Sequence, residues 1–332
     1  MKIAVIGAGS WGTALANILG GKGCNVSLWA RRPEVVEGIN SAHRNPRYLS
    51  ETALSENIVA TLSHRDAVQF AKAVVIVTPS SLVRGVARAL DGCCDSALPV
   101  VICSKGVEAG SGMLSTEVCA DEMGEPGRFA VLSGPNHAEE VVKGVPAGTV
   151  IASESPETAA FFQDLFATEA FRTYVSDDVT GVQLCAAFKN VIAIAVGMSY
   201  GMGYGDNTAS LLITRGMAEM TRLIKAAGGN PLTTLGLAGT GDMIATCMSP
   251  HSRNRSFGEA FVGGETLEQY QERRHMVVEG AAACKTLKTL SDRYGVELPI
   301  TDIVRSIVWE GADVHVASEL LSRPLKPEIY GL

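Results

Sequence analysis

The sequence predicts an α/β protein in two parts: a doubly wound, mostly parallel sheet, then an all-helical half. Three observations carry that expectation. Short runs of Val, Ile and Leu alternate with helix-patterned stretches through the first half; this pattern stops near residues 177–182; and a glycine-rich turn joins the first strand to the first helix. A length of 332 residues is enough for two separate cores. The division is set at 1–178 and 179–332.

The strands come first. KIAVIG (2–7), NVSLWA (25–30), AVVIVT (73–78), PVVICS (99–104) and FAVLSG (129–134) each end at a turn. Their near-continuous apolar character belongs to strands covered on both faces, hence parallel strands with crossover helices. GTVIAS (148–153) and FRTYVS (171–176) are expected to extend the same sheet. Beyond Asp178, NTASLLITRGMAEMTRLIKAAGGNP reads as a helix from an Asn/Thr start to a Gly-Gly-Asn-Pro stop. VVEGAAACKTLKTLSDRYG and PITDIVRSIVWEG continue the helical pattern.

Composition excludes several classes of function. An apolar share of 46% with 19% charged residues is that of a globular protein. A net charge of −7 argues against a nucleic-acid surface and against binding to anionic lipid. An anionic ligand must then be met by local basic groups. The eight cysteines show no CxxC pair or Cys/His spacing, so no metal site is expected. They read as free thiols of a reducing compartment, and MKIAVIG is already a strand, not a signal peptide. A cytoplasmic protein is expected.

QLCAAFKNVIAIAVGM (183–198) is apolar enough to raise a membrane span. Lys189 and Asn190 lie inside it, Gly197, Gly201, Gly203 and Gly205 are expected to break its far end, and no basic flank sets an orientation. A transmembrane segment is therefore rejected. Lys189 shares a helical face with Cys185, Ala186, Ile192 and Ala193. Taken alone it fits two readings: a lysine snorkelling along its own stem, or one desolvated for chemistry.

The chemistry-bearing motif with the clearest context is GAGSWG. Gly7, Gly9 and Gly12 stand in GxGxxG register after a strand, and Thr13-Ala14-Leu15-Ala16 opens a helix. Such glycines allow a tight turn and close backbone approach to a pyrophosphate at a helix N-terminus. At the end of the second strand, where Asp or Glu would hold a ribose diol, stand Arg31 and Arg32. Two guanidiniums suit a 2′-phosphate, so NADP(H) is expected beside NAD(H); otherwise they are a solvated turn. SKGVE (104–108), SGPNHAEE (133–140), AGTGDM (238–243) and SPHSRNRSFG (249–258) combine glycine with polar residues. In the last, Ser252-Arg253-Asn254 is placed to open a helix toward an anion. Asp242 is a candidate partner for a buried lysine.

GAGSWGTALA, SKGVE, SGPNHAEEV, GVQLCAAFKNVIAIAVGM, LITRGMAEM, LAGTGDM and SRNRSFG together resemble the bacterial NAD(P)-dependent glycerol-3-phosphate dehydrogenases, in family order along essentially the whole chain. The resemblance implies an N-terminal Rossmann domain, a C-terminal helical domain and a homodimer. It also implies reversible hydride transfer between NAD(P)H and dihydroxyacetone phosphate, supplying sn-glycerol 3-phosphate for phospholipid synthesis. The positions it marks as cofactor contacts are Ser10, Trp11, Arg31, Lys105, Ala138, Arg253, Val277 and Glu279, with Arg32 added. Those it marks for substrate are Lys105, Gly134, Asn136, Lys189, Asp242, Ser252, Arg253 and Asn254. Lys189 matches the family's proton acceptor. His137 and His251 stand where apolar or variable residues are expected. The alternatives are a related dehydrogenase of the 6-phosphogluconate or β-hydroxyacid type, which LAGTGDM and SRNRSFG fit poorly, and a non-catalytic nicotinamide sensor.

Overall fold

Eight strands form one sheet. In the computed structural model, which describes residues 1–274, 277–318 and 320, they are β1 (Lys2–Ile6), β2 (Asn25–Trp29), β3 (Ile58–Thr61), β4 (Val74–Ile76), β5 (Val100–Ile102), β6 (Phe129–Ser133), β7 (Ala147–Ser153) and β8 (Phe171–Ser176). Their order is β3-β2-β1-β4-β5-β6-β7-β8. Neighbours run parallel except β6 and β7, which pair antiparallel with Ser133 opposite Val150. The two later segments do extend the sheet. The strand that pattern reading misses is β3. It is a four-residue edge strand in which Val59 faces solvent, so it lacks the continuous apolar run of a covered strand.

Seven helices accompany the sheet: α1 (Ser10–Gly21), α2 (Pro33–Ala42), α3 (His64–Val68), α4 (Val83–Leu90), α5 (Ser115–Met123), α6 (Ala138–Val141) and α7 (Pro156–Phe166). Ile3, Val5, Leu28 and Val75 of the strands share one buried cluster with Leu15 and Leu19 of α1 and with Phe162 and Phe166 of α7. Each such side chain contributes about 1.5–3 kcal/mol on full burial.

From residue 179 onward the described residues form helices and connections: α8 (Val179–Gly201), α9 (Asp206–Ala226), α10 (Asp242–Met248), α11 (Arg253–Val262), α12 (Leu267–Arg274), α13 (Glu279–Tyr294) and α14 (Pro299–Glu310). The chain divides into two compact units, one of Met1–Ser104 with Leu114–Val179, the other of Lys105–Met113 with the chain from Thr180. Residues 105–113 thus group with the helices and not with the sheet that precedes them in sequence. Arg293 of α13 helps fix them, donating to the carbonyls of Ser111 and Gly112.

α8 is the core of the helical unit, with 94% of its most apolar 18-residue window buried in the protein. A helix apolar on all sides needs such cover. The expectation of a glycine break holds only in part: α8 ends at Gly201, with Gly203 just beyond it at φ +84°, but it runs unbroken through Gly197. The missing side chain of Gly197 admits another backbone instead. A Cβ on Gly197 would lie 2.0 Å from the Arg255 carbonyl oxygen, and one on Gly258 of α11 would lie 2.3 Å from that of Ile194.

Candidate active site

The glycine turn builds the cradle its spacing predicts. Gly7 has φ +123°, and a Cβ there would lie 2.4 Å from the Val77 carbonyl oxygen. A Cβ on Gly12 would sit 1.8 Å from the Gly7 carbonyl oxygen, whereas Gly9 has nothing within 4 Å. The backbone at Gly9 is therefore open to a bulky anion. α1 begins at Ser10 with no side-chain cap, leaving its first-turn amides available to a phosphate. The buried Trp11 Nε1 has no partner among the described residues. An open glycine, uncapped amides and an orphaned indole donor fit the dinucleotide.

Arg31 and Arg32 follow β2, and Arg32 precedes α2 as its cap residue. At the end of β6, Gly134 is required by close approach, since a Cβ would lie 2.8 Å from both the Gly148 carbonyl oxygen and the Thr149 Cα. Asn136 donates through Nδ2 to that same carbonyl at 2.9 Å, while its Oδ1 is buried and unpartnered among the described residues. Ser133 Oγ and Thr149 Oγ1 beside it are likewise unsatisfied. Such a group of orphaned atoms marks a ligand position better than a packed turn does. His137 precedes α6, and Ala138 is its first residue, buried.

In the helical unit the lysine question resolves. Lys189 is 6% exposed. Its Nζ donates to Asp242 Oδ1 and, at 2.9 Å, to Thr246 Oγ1. Lys105 Nζ donates to the other oxygen, Oδ2, at 2.8 Å. Two ammoniums therefore share one buried carboxylate. Burial pushes Lys189 down to about 8; Asp242 opposes that fall and Lys105 reinforces it. Burial alone would raise Asp242, but the two ammoniums outweigh it and hold the carboxyl below its ordinary range. The snorkelling reading is excluded, because the head group of Lys189 ends in the core.

Asp242 reaches this position through an unusual backbone. Leu237–Gly241 forms a π-helical turn that leads directly into α10. A Cβ on Gly239 would lie 2.2 Å from the Thr234 carbonyl oxygen, so glycine is needed there. Thr246 was not anticipated. Its signal was available, for it stands four residues after Asp242 on the same helical face.

Ser252 caps α11, its Oγ accepting from the Arg255 amide at 3.3 Å, and Arg253 is the exposed first residue of the helix. The Asn254 side chain does something its sequence context does not announce. Its Nδ2 donates to Asn190 Oδ1 and its Oδ1 accepts from the Gly280 amide, both at 2.9 Å. One amide thus fixes the start of α11 to the residue after Lys189 and to the start of α13, where Glu279 stands. Val277, before that helix, is exposed. His251 is exposed in the turn before Ser252.

A dinucleotide cradle and a desolvated lysine are the parts a nicotinamide-dependent alcohol dehydrogenase requires, and the class of the protein follows. Residues 2–159 match the family model for the NAD-dependent glycerol-3-phosphate dehydrogenase N-terminus, and residues 178–319 match that for the C-terminus. The chain belongs to this family. It is 43% identical to glycerol-3-phosphate dehydrogenase [NAD(P)+] of Chlorobium luteolum over 331 residues, 99% of each chain. With the enzyme of that name from Streptomyces griseus it shares 45% identity over 330 residues, 99% of this chain and 98% of the other. The crystal structure of glycerol-3-phosphate dehydrogenase from Coxiella burnetii superposes with a TM-score of 0.93 at 35% identity, covering 97% of this chain and 99% of that one.

Proposed function

We propose that Lys189 carries the proton in an NAD(P)-dependent interconversion of dihydroxyacetone phosphate and sn-glycerol 3-phosphate. The chain is an oxidoreductase of this type. The observation that carries the assignment to Lys189 is its burial against Asp242 and Thr246, which pushes the pKa of its ammonium down to about 8. When bound, a nicotinamide would supply or accept the hydride at the substrate's C2. In reduction the Lys189 ammonium gives a proton to the C2 oxygen, and the amine so formed takes one back in oxidation. Asp242 and Thr246 hold Nζ in one position, and Lys105 keeps its proton from being bound too tightly. Ser252, Arg253 and Asn254, at the N-terminus of α11, which carries no acidic residue in its first turn, suit the substrate phosphate. Gly7, Gly9, Ser10, Trp11 and Gly12 are the residues that would hold the pyrophosphate, and Arg31 and Arg32 the 2′-phosphate. Supply of glycerol 3-phosphate to phospholipid synthesis fits this reading.

The test is Lys189→Ala. It should lower kcat at least ~100-fold, the usual scale for a general acid/base, while leaving NADPH affinity by titration near wild type. Near-normal turnover in a folded variant would remove Lys189 from the mechanism. We also read the protein as a cytoplasmic homodimer. Eight free thiols fit a reducing compartment, and the dimer is what the family resemblance implies. Sedimentation equilibrium should give twice the mass of one chain, and a single-chain mass would reject the dimer.

A further inference from the structure

A third arginine converges on the region after β2. Glu34, in the first turn of α2, lies 3.7 Å from Arg32 Nη1 and also 3.7 Å from Arg47 Nη1. Arg47 is thirteen positions further along the chain than Glu34, in the connection between α2 and β3, and nothing in its local pattern marks it. Its turn is held by Asn45, a side chain with no exposure at all. Asn45 Oδ1 accepts from the amides of Arg47 and Tyr48, both at 3.1 Å. Its Nδ2 donates to the Ala8 carbonyl at 3.0 Å and to Thr13 Oγ1 at 2.8 Å. Ala8 lies in the glycine turn and Thr13 in the first turns of α1. A single buried amide therefore fastens the turn bearing Arg47 to the dinucleotide cradle.

We propose that Arg47 is a third ligand for the 2′-phosphate of NADPH and that Glu34 is its internal stand-in, displaced when that phosphate binds. This rests on the reading of Arg31 and Arg32 given above. Charge sets the logic. Arg32 and Arg47 bring two cations to one anion, Glu34, and Arg31 immediately precedes Arg32 in the chain. At 3.7 Å both pairs are too long for a good hydrogen bond, and all three side chains are 34–50% exposed, so each contact is weak and easily exchanged. A phosphate dianion offers more oxygens and more charge than a carboxylate and pairs better with guanidiniums. With NADH no such anion arrives, and Glu34 continues to neutralise the arginines. The arrangement thus tolerates both cofactors while favouring the phosphorylated one.

The experiment is calorimetric titration with adenosine 2′,5′-bisphosphate and with 5′-AMP, which differ only in the 2′-phosphate. Arg47→Gln should weaken the bisphosphate roughly tenfold, the fold-change of one exposed charge-assisted contact, and leave 5′-AMP within about twofold. Glu34→Gln should tighten the bisphosphate and leave 5′-AMP unchanged. A double Arg31→Ala, Arg32→Ala variant is the reference. If it loses selectivity for the bisphosphate while Arg47→Gln keeps it, the role of Arg47 is wrong and the reading of the other two arginines stands. If neither variant loses selectivity, that reading fails as well. If Glu34→Gln weakens 5′-AMP, Glu34 holds the ribose directly and is not a displaceable counter-ion.

Discussion

At the scale of single residues, the proposed chemistry turns on one buried carboxylate serving two lysines. Asp242 raises the pKa of Lys189 and positions it, while desolvation and Lys105 lower it, to about 8 in balance. The sign of the pH dependence follows. With the role proposed for Lys189, ketone reduction would use the ammonium, so its kcat/KM should fall as pH rises through about 8; oxidation would use the amine and should rise through the same point. Asp242→Asn removes the attraction that opposes desolvation. Both limbs should then move to lower pH, and a break that stays in place would show that Asp242 does not tune Lys189. Cys247, next to Thr246 in sequence, is no competitor for this chemistry, because burial pushes its thiol up to about 12.

At the scale of elements, glycine decides how close the helices come. Gly197 and Gly258 bring α8 and α11 into backbone contact, and a Cβ on Gly280 of α13 would lie 2.4 Å from the Asn190 carbonyl oxygen. Gly258→Ala should therefore destabilise by about 1–3 kcal/mol, as overpacking does, measured by urea denaturation. It should also raise KM for dihydroxyacetone phosphate by shifting the Ser252–Asn254 turn. Gly21→Ala, a helical glycine with nothing within 4 Å, should be neutral or stabilising. Equal effects from the two would refute the packing argument.

A second element-scale device joins α9 to α14. Glu219 is buried at 3% exposure and caps α14, accepting from the Ile300 amide at 2.7 Å and the Thr301 amide at 3.4 Å. Burial raises its carboxyl to about 7, against the pull of those amides. A carboxyl raised on folding binds its proton more tightly in the native state. Its contribution is present below about pH 4.5 and is lost as pH rises through about 7. The stability of wild type relative to Glu219→Gln should decline across that window, and a difference independent of pH would sink the assignment.

At the scale of the whole molecule, each compact unit was legible to a different degree. Seven of the strands and the glycine cradle could be read because both follow from near neighbours in sequence: apolar runs of five or six residues, and a GxGxxG turn between strand and helix. The long helices from Asp206, Glu279 and Pro299 could be read from their stop signals and periodicity. β3 could not, being short and half exposed at the sheet edge. The grouping of residues 105–113 with the helices was equally invisible, since it is set by distant partners such as Arg293.

The sequence by itself determined the sheet-then-helices plan, the dinucleotide cradle, and that Lys189 sat among apolar neighbours and needed a reason. Those are local properties, written in spacing and residue type. Only the tertiary structure decided what Lys189 meets: Asp242 lies 53 positions away, Thr246 57, and the Lys105 that shares the carboxylate is 137 positions from Asp242. Whether an apolar-face lysine is a snorkelling surface group or a desolvated acid depends on what surrounds its ammonium. No run of neighbouring residues contains that information, because the field at a buried charge is made by groups that only folding brings near.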